Sequence, residues 1–161
     1  MGDSAGGYLA AMLGTVDTPD LYQGECPHDV SQPHLQGSVI LYGLFDLTSM
    51  EGYDPADIKN GLEPLMGSPF EEMPQDKLEE MSPMYWIDGS EQQYLLIHGT
   101  EDENVAYWGS ENFQKALEAR GVRVSLFLVE AGHAFFLDRT SEQVTMSLEA
   151  IDEFIEGIAE K

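Results

Sequence analysis

Three short runs of consecutive apolar residues divide the chain, and each is typical of a strand that is buried on both faces. Ser38–Gly43 is the first run, Tyr94–His98 with Gly99 is the second, and Val122–Val129 is the third. Runs of this length match strands better than helices. The pattern therefore predicts three strands of one buried sheet.

Helical patterns separate these strands. Ala5–Leu13 is rich in Ala, Leu and Met, and Val105–Arg120 is followed by Gly121, a residue type that commonly ends helices. After the third strand, apolar residues recur at intervals of four, three, four and three, which places them on one face of an amphipathic helix. That predicted buried face consists of Val144, Leu148, Ile151, Ile155 and Ile158.

The alternation of strand and helix predicts an α/β fold with a mostly parallel sheet and right-handed crossovers. A length of 161 residues fits one domain, and an apolar content of 42% supplies a core. We therefore expect one α/β domain over residues 1–161. It carries a long insertion at about 45–93 that is rich in Pro, Met and acidic residues and holds only short helices, one of them near Gln75 to Met81.

The charge of the chain is strongly negative. It has 30 Asp and Glu against 7 Lys and Arg, a formal net charge of −23, which excludes a nucleic-acid partner and disfavours an anionic membrane surface. No apolar run is long enough to span a membrane and no secretory leader opens the chain, so we expect no membrane partner and a cytoplasmic location. The acidic surplus leaves two interpretations open, a surface adapted to salt-rich surroundings and an ordinary acidic protein.

The segment Gly2-Asp-Ser-Ala-Gly-Gly7 carries the first candidate chemistry. Its Gly-x-Ser-x-Gly spacing is that of a nucleophile elbow, in which a strand turns sharply into a helix and exposes a serine. Small residues at Gly2 and Gly6 would leave room where the turn brings backbones together. The N–H of Ala5, at the helix N-terminus, would then stabilise an oxyanion near Ser4. The alternative is a glycine-rich turn before a helix.

Two further groups follow predicted strands at the point where each strand ends. Asp102 comes after the second strand and His133 after the third. Because the carboxyl ends of parallel strands meet at one edge of a sheet, both side chains are expected near Ser4. His133 would accept the proton of the Ser4 hydroxyl, and Asp102 would hold His133 in the required tautomer. The order Ser, Asp, His is that of α/β-hydrolases.

Other polar residues compete for these roles. His98 ends a strand and is predicted to be a hydrogen-bonded structural residue rather than a base. The single cysteine cannot form an internal disulfide, and no second ligand pair supports a metal site around it, so we expect no metal. The remaining alternatives are Cys26, His28 and His34 as zinc ligands, and Glu101, Glu103 and Asp138 as the acid.

These motifs together resemble the C-terminal half of an α/β-hydrolase esterase. Gly2-Asp-Ser-Ala-Gly-Gly7 is the elbow form of hormone-sensitive-lipase-like enzymes and of BD-FAE-type esterases. The acid motif Leu96-Ile-His-Gly-Thr-Glu-Asp102-Glu-Asn-Val105 differs from the Asp-Pro-Leu-x-Asp sequence of the first group and is similar to the BD-FAE and dipeptidyl-peptidase-like pattern. The segments that begin at Met66 and Met81 also resemble BD-FAE proteins.

The resemblance implies a carboxylesterase-like serine hydrolase that needs no cofactor and acts on a small-molecule ester, with short acyl groups on a carbohydrate or another alcohol. A peptide or formamide bond is the alternative substrate. Phe45, Tyr85 and Trp86 are candidates to line the substrate pocket, and positions in the core are the alternative for these aromatic residues.

The family also has several strands and a His-Gly-Gly loop before the elbow, where this chain has only Met1. We therefore expect a partial domain whose N-terminal strands are absent and whose sheet has an open edge. Its partner would be either a missing N-terminal half or a second copy of the chain. The alternative function is a non-catalytic hydrolase-derived module that binds a partner through this edge.

Overall fold

The computed structural model describes residues 1–16, 35–49 and 51–159. At its centre lies a parallel four-stranded sheet in the order β1-β2-β3-β4. The sequence pattern indicated three strands and missed β1, because a strand of two residues has no periodicity to detect. The strands are β1 (Gly2–Asp3), β2 (Gly37–Leu41), β3 (Gln93–Gly99) and β4 (Val124–Val129).

Within the described residues, four helices of at least six residues accompany the sheet. The first begins directly after Ser4, and the last follows β4, so strands and helices alternate as expected. Gly121 has a φ of +79° and its N–H bonds to the carbonyl of Glu118, which ends the third helix at the predicted glycine. The helices are α1 (Ala5–Thr15), α2 (Gln75–Glu80), α3 (Trp108–Ala119) and α4 (Glu142–Ala159).

The helices form layers on both faces of the sheet. On one face, Ile40 of β2 and Leu96 of β3 pack in a cluster with Ala11 of α1 and Phe113 of α3. On the other face, alternate strand residues pack with Ile151 of α4. Since neighbouring strand side chains point to opposite faces, a strand that is apolar throughout must be covered on both sides. This explains why β2 and β3 read as continuous apolar runs.

The buried face of α4 differs from the predicted one. Val144 and Ile151 are buried, but Leu148 and Ile155 are 46% and 53% exposed. The helix is rotated because Ala150 and Phe154 pack against the apolar cluster of the sheet, and the small Ser147 faces inward beside them with its hydroxyl bonded to the carbonyl of Gln143. The residues that carry this face are Val144, Ser147, Ala150, Ile151 and Phe154.

The chain between β2 and β3, which we call the long connection (residues 42–92), has its own small core. Leu47, Phe70 and Leu78 are buried together. The hydroxyl of Ser82 accepts the N–H of Leu47 at 2.7 Å and donates to the carbonyl of Leu78 at 2.6 Å. The predicted short helix near Gln75 to Met81 is α2. Further short helical segments are Pro55–Asp57, Ile58–Leu62, Glu63–Met66, Phe70–Glu72 and Pro83–Trp86.

The zinc alternative at Cys26, His28 and His34 lies outside the described residues. Within them, no helix has both the length and the apolar composition that a bilayer crossing requires.

Candidate active site

Ser4 lies at the turn between β1 and α1 in a strained backbone conformation. Its φ of +49° is unusual for a residue with a side chain. Gly2 is required here, because a Cβ at that position would collide with the backbone of Gly6. Gly6 itself is not required sterically, since a Cβ there would lie 3.7 Å from the Asp3 carboxylate, an ordinary contact. The turn is therefore an elbow that depends on Gly2.

The structure brings the three residues predicted for the triad into one hydrogen-bonded row. The Oγ of Ser4 lies 2.9 Å from Nε2 of His133, and Nδ1 of His133 lies 2.7 Å from Oδ2 of Asp102. The side chain of Asp102 is fully buried and that of His133 is 17% exposed. An imidazole held by a carboxylate at Nδ1 can accept the hydroxyl proton of Ser4 at Nε2.

The sheet explains why these residues meet. Gly99 of β3 pairs with Val129 of β4, so the two strands end side by side. Asp102 follows β3 after two residues and His133 follows β4 after three. β1 ends beside Leu41 of β2 at the same edge, and Ser4 follows it directly. One sheet edge thus receives all three side chains.

The carboxylate of Asp102 is held on both oxygens. Its Oδ1 accepts the backbone N–H groups of Asn104 at 3.0 Å and Val105 at 2.9 Å. Burial alone would raise the pKa of Asp102, but hydrogen bonds from His133, His98 and the N–H of Val105 hold this pKa well below its usual value. Asp102 is therefore ionised at neutral pH, as the partner of a protonated imidazole must be.

The lowered pKa of Asp102 predicts how its effect on stability depends on pH. Because the folded pKa lies below the unfolded value of about 3.9, ionised Asp102 stabilises the fold above that pH and ceases to do so as the pH falls toward the folded pKa. We expect the native chain to be more stable to urea than Asp102→Asn between pH 5 and 8, with the difference shrinking below about pH 4. A difference that stayed constant down to pH 3 would contradict this.

Tyr42 supports the ring of His133 and was not identified from the sequence. It is fully buried at the end of β2, with a φ of +38°, and its ring meets that of His133 edge to face at 5.1 Å. Its hydroxyl donates to Asp3 Oδ2 at 3.2 Å. Burial, followed by the charge and the hydrogen bond of Asp3, raises the pKa of Tyr42, so it stays a donor. The sequence feature that could have identified Tyr42 is its position at the carboxyl end of a predicted strand.

Ala5 is exposed at the first residue of α1. Backbone N–H groups in the first turn of a helix have no acceptor within that helix, so the N–H of Ala5 is free to face an anion beside Ser4. Its role as an oxyanion donor remains a prediction.

The three aromatic candidates for the substrate pocket differ in burial. Phe45 is 1% exposed and stacks on Phe113 at 4.3 Å, so its assignment to a pocket is wrong: the ring completes the core between the sheet and α3. Tyr85 is 49% exposed and its hydroxyl lies 3.2 Å from Oγ1 of Thr48. Trp86 is partly buried and its Nε1 donates to the carbonyl of Glu80. Tyr85 and Trp86 remain predictions.

The competing acids do not take the place of Asp102. Glu101 and Glu103 are exposed on either side of it. Asp138 is also exposed, and its Oδ1 accepts from the N–H and hydroxyl of Thr140. His98 is fully buried and hydrogen-bonded, as predicted, but the sequence did not reveal that its Nε2 lies 3.2 Å from Oδ2 of Asp102.

Comparison with known proteins shows that the chain is similar to esterases. The model of the BD-FAE family matches residues 1–117. Esterase LipC of Mycobacterium tuberculosis is 28% identical over 138 residues, which cover 84% of this chain and 34% of that protein. The chain therefore spans about a third of the length of this curated relative.

Solved structures agree with the fold. A thermophilic esterase of Thermogutta terrifontis, Est2 with butyrate bound, is 28% identical with a TM-score of 0.74, over 98% of this chain and 55% of that one. The structure of the same esterase phosphonylated by sarin has a sequence identity of 27% and a TM-score of 0.72, with the same coverage of the two chains. Puromycin hydrolase has a sequence identity of 27% and a TM-score of 0.60, over 83% of this chain and 18% of that one. The four-stranded sheet thus has the architecture of the C-terminal half of an α/β-hydrolase.

Proposed function

The chain belongs to the BD-FAE family, and we propose that it carries the catalytic residues of a serine hydrolase of carboxylic esters, with Ser4 as nucleophile, His133 as base and Asp102 as acid. The observation that carries the proposal is the continuous row of hydrogen bonds from Ser4 through His133 to Asp102, at 2.9 Å and 2.7 Å. The buried, ionised Asp102 supports it, because it stabilises the imidazolium that forms during the reaction.

The proposed reaction has two acyl-transfer steps. The Oγ of Ser4 attacks the ester carbonyl while Nε2 of His133 takes the hydroxyl proton, and the N–H of Ala5 stabilises the oxyanion. His133 then returns the proton to the departing alcohol, which leaves an acyl group on Ser4. A water molecule, deprotonated by His133, releases the acid and restores the hydroxyl. The chain needs no redox partner for these steps.

For the substrate we propose esters of short acyl groups, among them acyl groups on carbohydrates. Support for a short acyl chain comes from the Est2 esterase, whose structure was determined with butyrate bound. Tyr85 is the proposed contact for the alcohol portion, because its ring is half exposed on the long connection and its hydroxyl, which lies near that of Thr48, can bond a polar group.

We expect a fluorophosphonate probe to label the folded chain once, at Ser4. The probe reacts with a serine only when a base activates its hydroxyl, so labelling reports the row of hydrogen bonds itself. Intact-mass and peptide mass spectrometry measure the extent and position of labelling. Ser4→Ala should abolish it, whereas Ser125→Ala, which removes an exposed serine of β4, should leave it unchanged.

Two results would contradict the proposed function. One is a chain with native circular dichroism that the probe leaves unlabelled, as the non-catalytic module would be. The other is labelling that persists in Ser4→Ala.

Amide hydrolysis is a second candidate, supported by the likeness to puromycin hydrolase. The same residues cleave either bond, but an amide nitrogen leaves only after protonation, which demands more of His133. Parallel assays of 4-nitrophenyl butyrate and of an aminoacyl 4-nitroanilide distinguish the two. We expect faster turnover of the ester, and faster turnover of the anilide would favour a peptidase.

A further inference from the structure

His98 is a buried titratable residue for which the proposed reaction has no use. It is the next-to-last residue of β3, and none of its surface is exposed. Its Nδ1 lies 2.7 Å from Oγ of Ser110 on α3, and its Nε2 lies 2.9 Å from the carbonyl oxygen of Val105. The same Nε2 lies 3.2 Å from Oδ2 of Asp102. His98 therefore links α3 to the acid of the triad.

The neighbours of the ring decide where its hydrogen lies. The carbonyl of Val105 and the ionised Asp102 can only accept, so Nε2 of His98 must carry a hydrogen. Ser110 can donate its hydroxyl hydrogen to Nδ1, which satisfies a neutral ring on both sides. Since Ser110 is 1% exposed, no bulk water competes for this bond. Ser110 thus favours the tautomer with a hydrogen on Nε2. That single hydrogen bonds to the carbonyl of Val105 at 2.9 Å and can be shared with Oδ2 of Asp102, which lies 3.2 Å from the same nitrogen.

This donor completes the shell around the carboxylate. Oδ1 of Asp102 has two backbone N–H partners, from Asn104 and Val105. Oδ2 is hydrogen-bonded to His133 and has Nε2 of His98 3.2 Å away. With hydrogen bonds to both oxygens, the fully buried carboxylate cannot rotate without breaking them. Its orientation toward His133 is fixed.

We propose that His98 is a positioning residue of the triad, which acts by donating from Nε2 to Oδ2 of Asp102 and is itself oriented by Ser110. The inference rests on the proposed function, because it concerns how the acid of that triad is held. His98 shares Oδ2 with His133, so it also draws charge away from the atom that stabilises the His133 imidazolium.

Removing the donor should therefore strengthen the hydrogen bond from Nδ1 of His133 to Oδ2 of Asp102. The polar groups that face His133 are Asp102 at Nδ1, Ser4 at Nε2, and the ring of Tyr42, whose hydroxyl bonds to Asp3. Of these, only Asp102 contacts His98. A change at His98 thus reaches His133 through one carboxylate oxygen.

The first measurement determines the tautomer in the native chain. In two-dimensional NMR of the ¹⁵N-histidine-labelled protein, we expect a hydrogen on Nε2 of His98 between pH 6 and 8. An Nε2 without a hydrogen would overturn the proposal, because such a ring cannot donate to Asp102. This measurement needs no variant at position 98 and no catalytic activity.

The second measurement compares two substitutions of similar volume. His98→Leu removes the donor, whereas His98→Gln keeps an N–H that can reach the place of Nε2. In His98→Leu we expect the low-field ¹H signal of the hydrogen on Nδ1 of His133 to move further downfield, because its bond to Oδ2 of Asp102 is strengthened, with His98→Gln close to the native position. An unshifted His133 signal in folded His98→Leu would overturn the proposal, since a purely structural role predicts no such rescue.

Stability and activity are kept apart from this test. His98→Leu leaves the hydroxyl of Ser110 without its partner, so the double variant His98→Leu with Ser110→Ala restores an apolar contact if the single variant does not fold. Because both NMR measurements are independent of ester hydrolysis, an unlabelled Ser4 together with the expected tautomer and shift would contradict only the proposed function.

Discussion

Replacing Asp102 with Asn will slow the reaction of Ser4 with a fluorophosphonate by about 10⁴-fold. The amide oxygen will keep the acceptor position that the N–H groups of Asn104 and Val105 require. The amide NH₂ then faces His133 and donates to Nδ1, so the hydrogen of the ring moves to Nε2. An Nε2 that carries a hydrogen cannot accept the proton of Ser4.

The control for this change is Asp138→Asn. Asp138 is exposed and lies five residues after His133, and the hydrogen bonds described for its side chain are both to Thr140. Asp138→Asn alters the net charge by the same amount as Asp102→Asn. It should leave the labelling rate within about twofold of the native chain, since exposed charges are strongly screened. Equal losses in both variants would contradict the assignment of the acid. The rates are measured at pH 7.5 by quenching the labelling reaction at successive times.

The three residues of the row could be predicted because each one follows a strand end or lies in a short motif, and both features are visible in the local sequence. Asp102 and His133 follow strands that a run of apolar residues reveals, and the carboxyl ends of parallel strands must share an edge. The glycine spacing around Ser4 predicts its turn in the same way. Each inference needs only a strand end and a short motif.

Residues that support the row were harder to predict, because their roles depend on distances across the fold. Tyr42 directly follows β2 and His98 is the next-to-last residue of β3, and nothing in the local pattern distinguishes support of a neighbour from ordinary burial. The contact of His98 with Asp102 also requires the backbone to turn after Gly99. Sequence spacing does not fix such a turn.

Some apolar residues had two positions that the sequence could not distinguish, and these were predicted less accurately. Phe45 could face a pocket or the core, and stacking on Phe113 favours the core. In α4, two overlapping apolar stripes were available, and the one with Phe154 packs on the sheet while Leu148 and Ile155 stay exposed. Periodicity identifies an amphipathic helix, but packing selects its rotation.

Replacing Gly99 with Ala will destabilise the chain by about 1 to 3 kcal/mol and slow labelling of Ser4 by about 100-fold. Gly99 is buried where β3 ends, and a Cβ there would collide with the backbone carbonyl of Ala131. That carbonyl accepts the N–H of Glu101 at 3.0 Å, so it cannot move aside without breaking a hydrogen bond. The loop that carries His133 must therefore shift away from Asp102.

Gly109→Ala is the matched control for Gly99→Ala. Gly109 lies in α3, and a Cβ added there meets no atom within 4 Å. Because alanine favours a helix over glycine, this variant should be as stable as the native chain or more stable by up to about 1 kcal/mol, with unchanged labelling. Urea unfolding and labelling rates measure both variants. If Gly99→Ala behaved like Gly109→Ala, the close approach of the His133 loop to β3 would not be what holds His133 against Asp102.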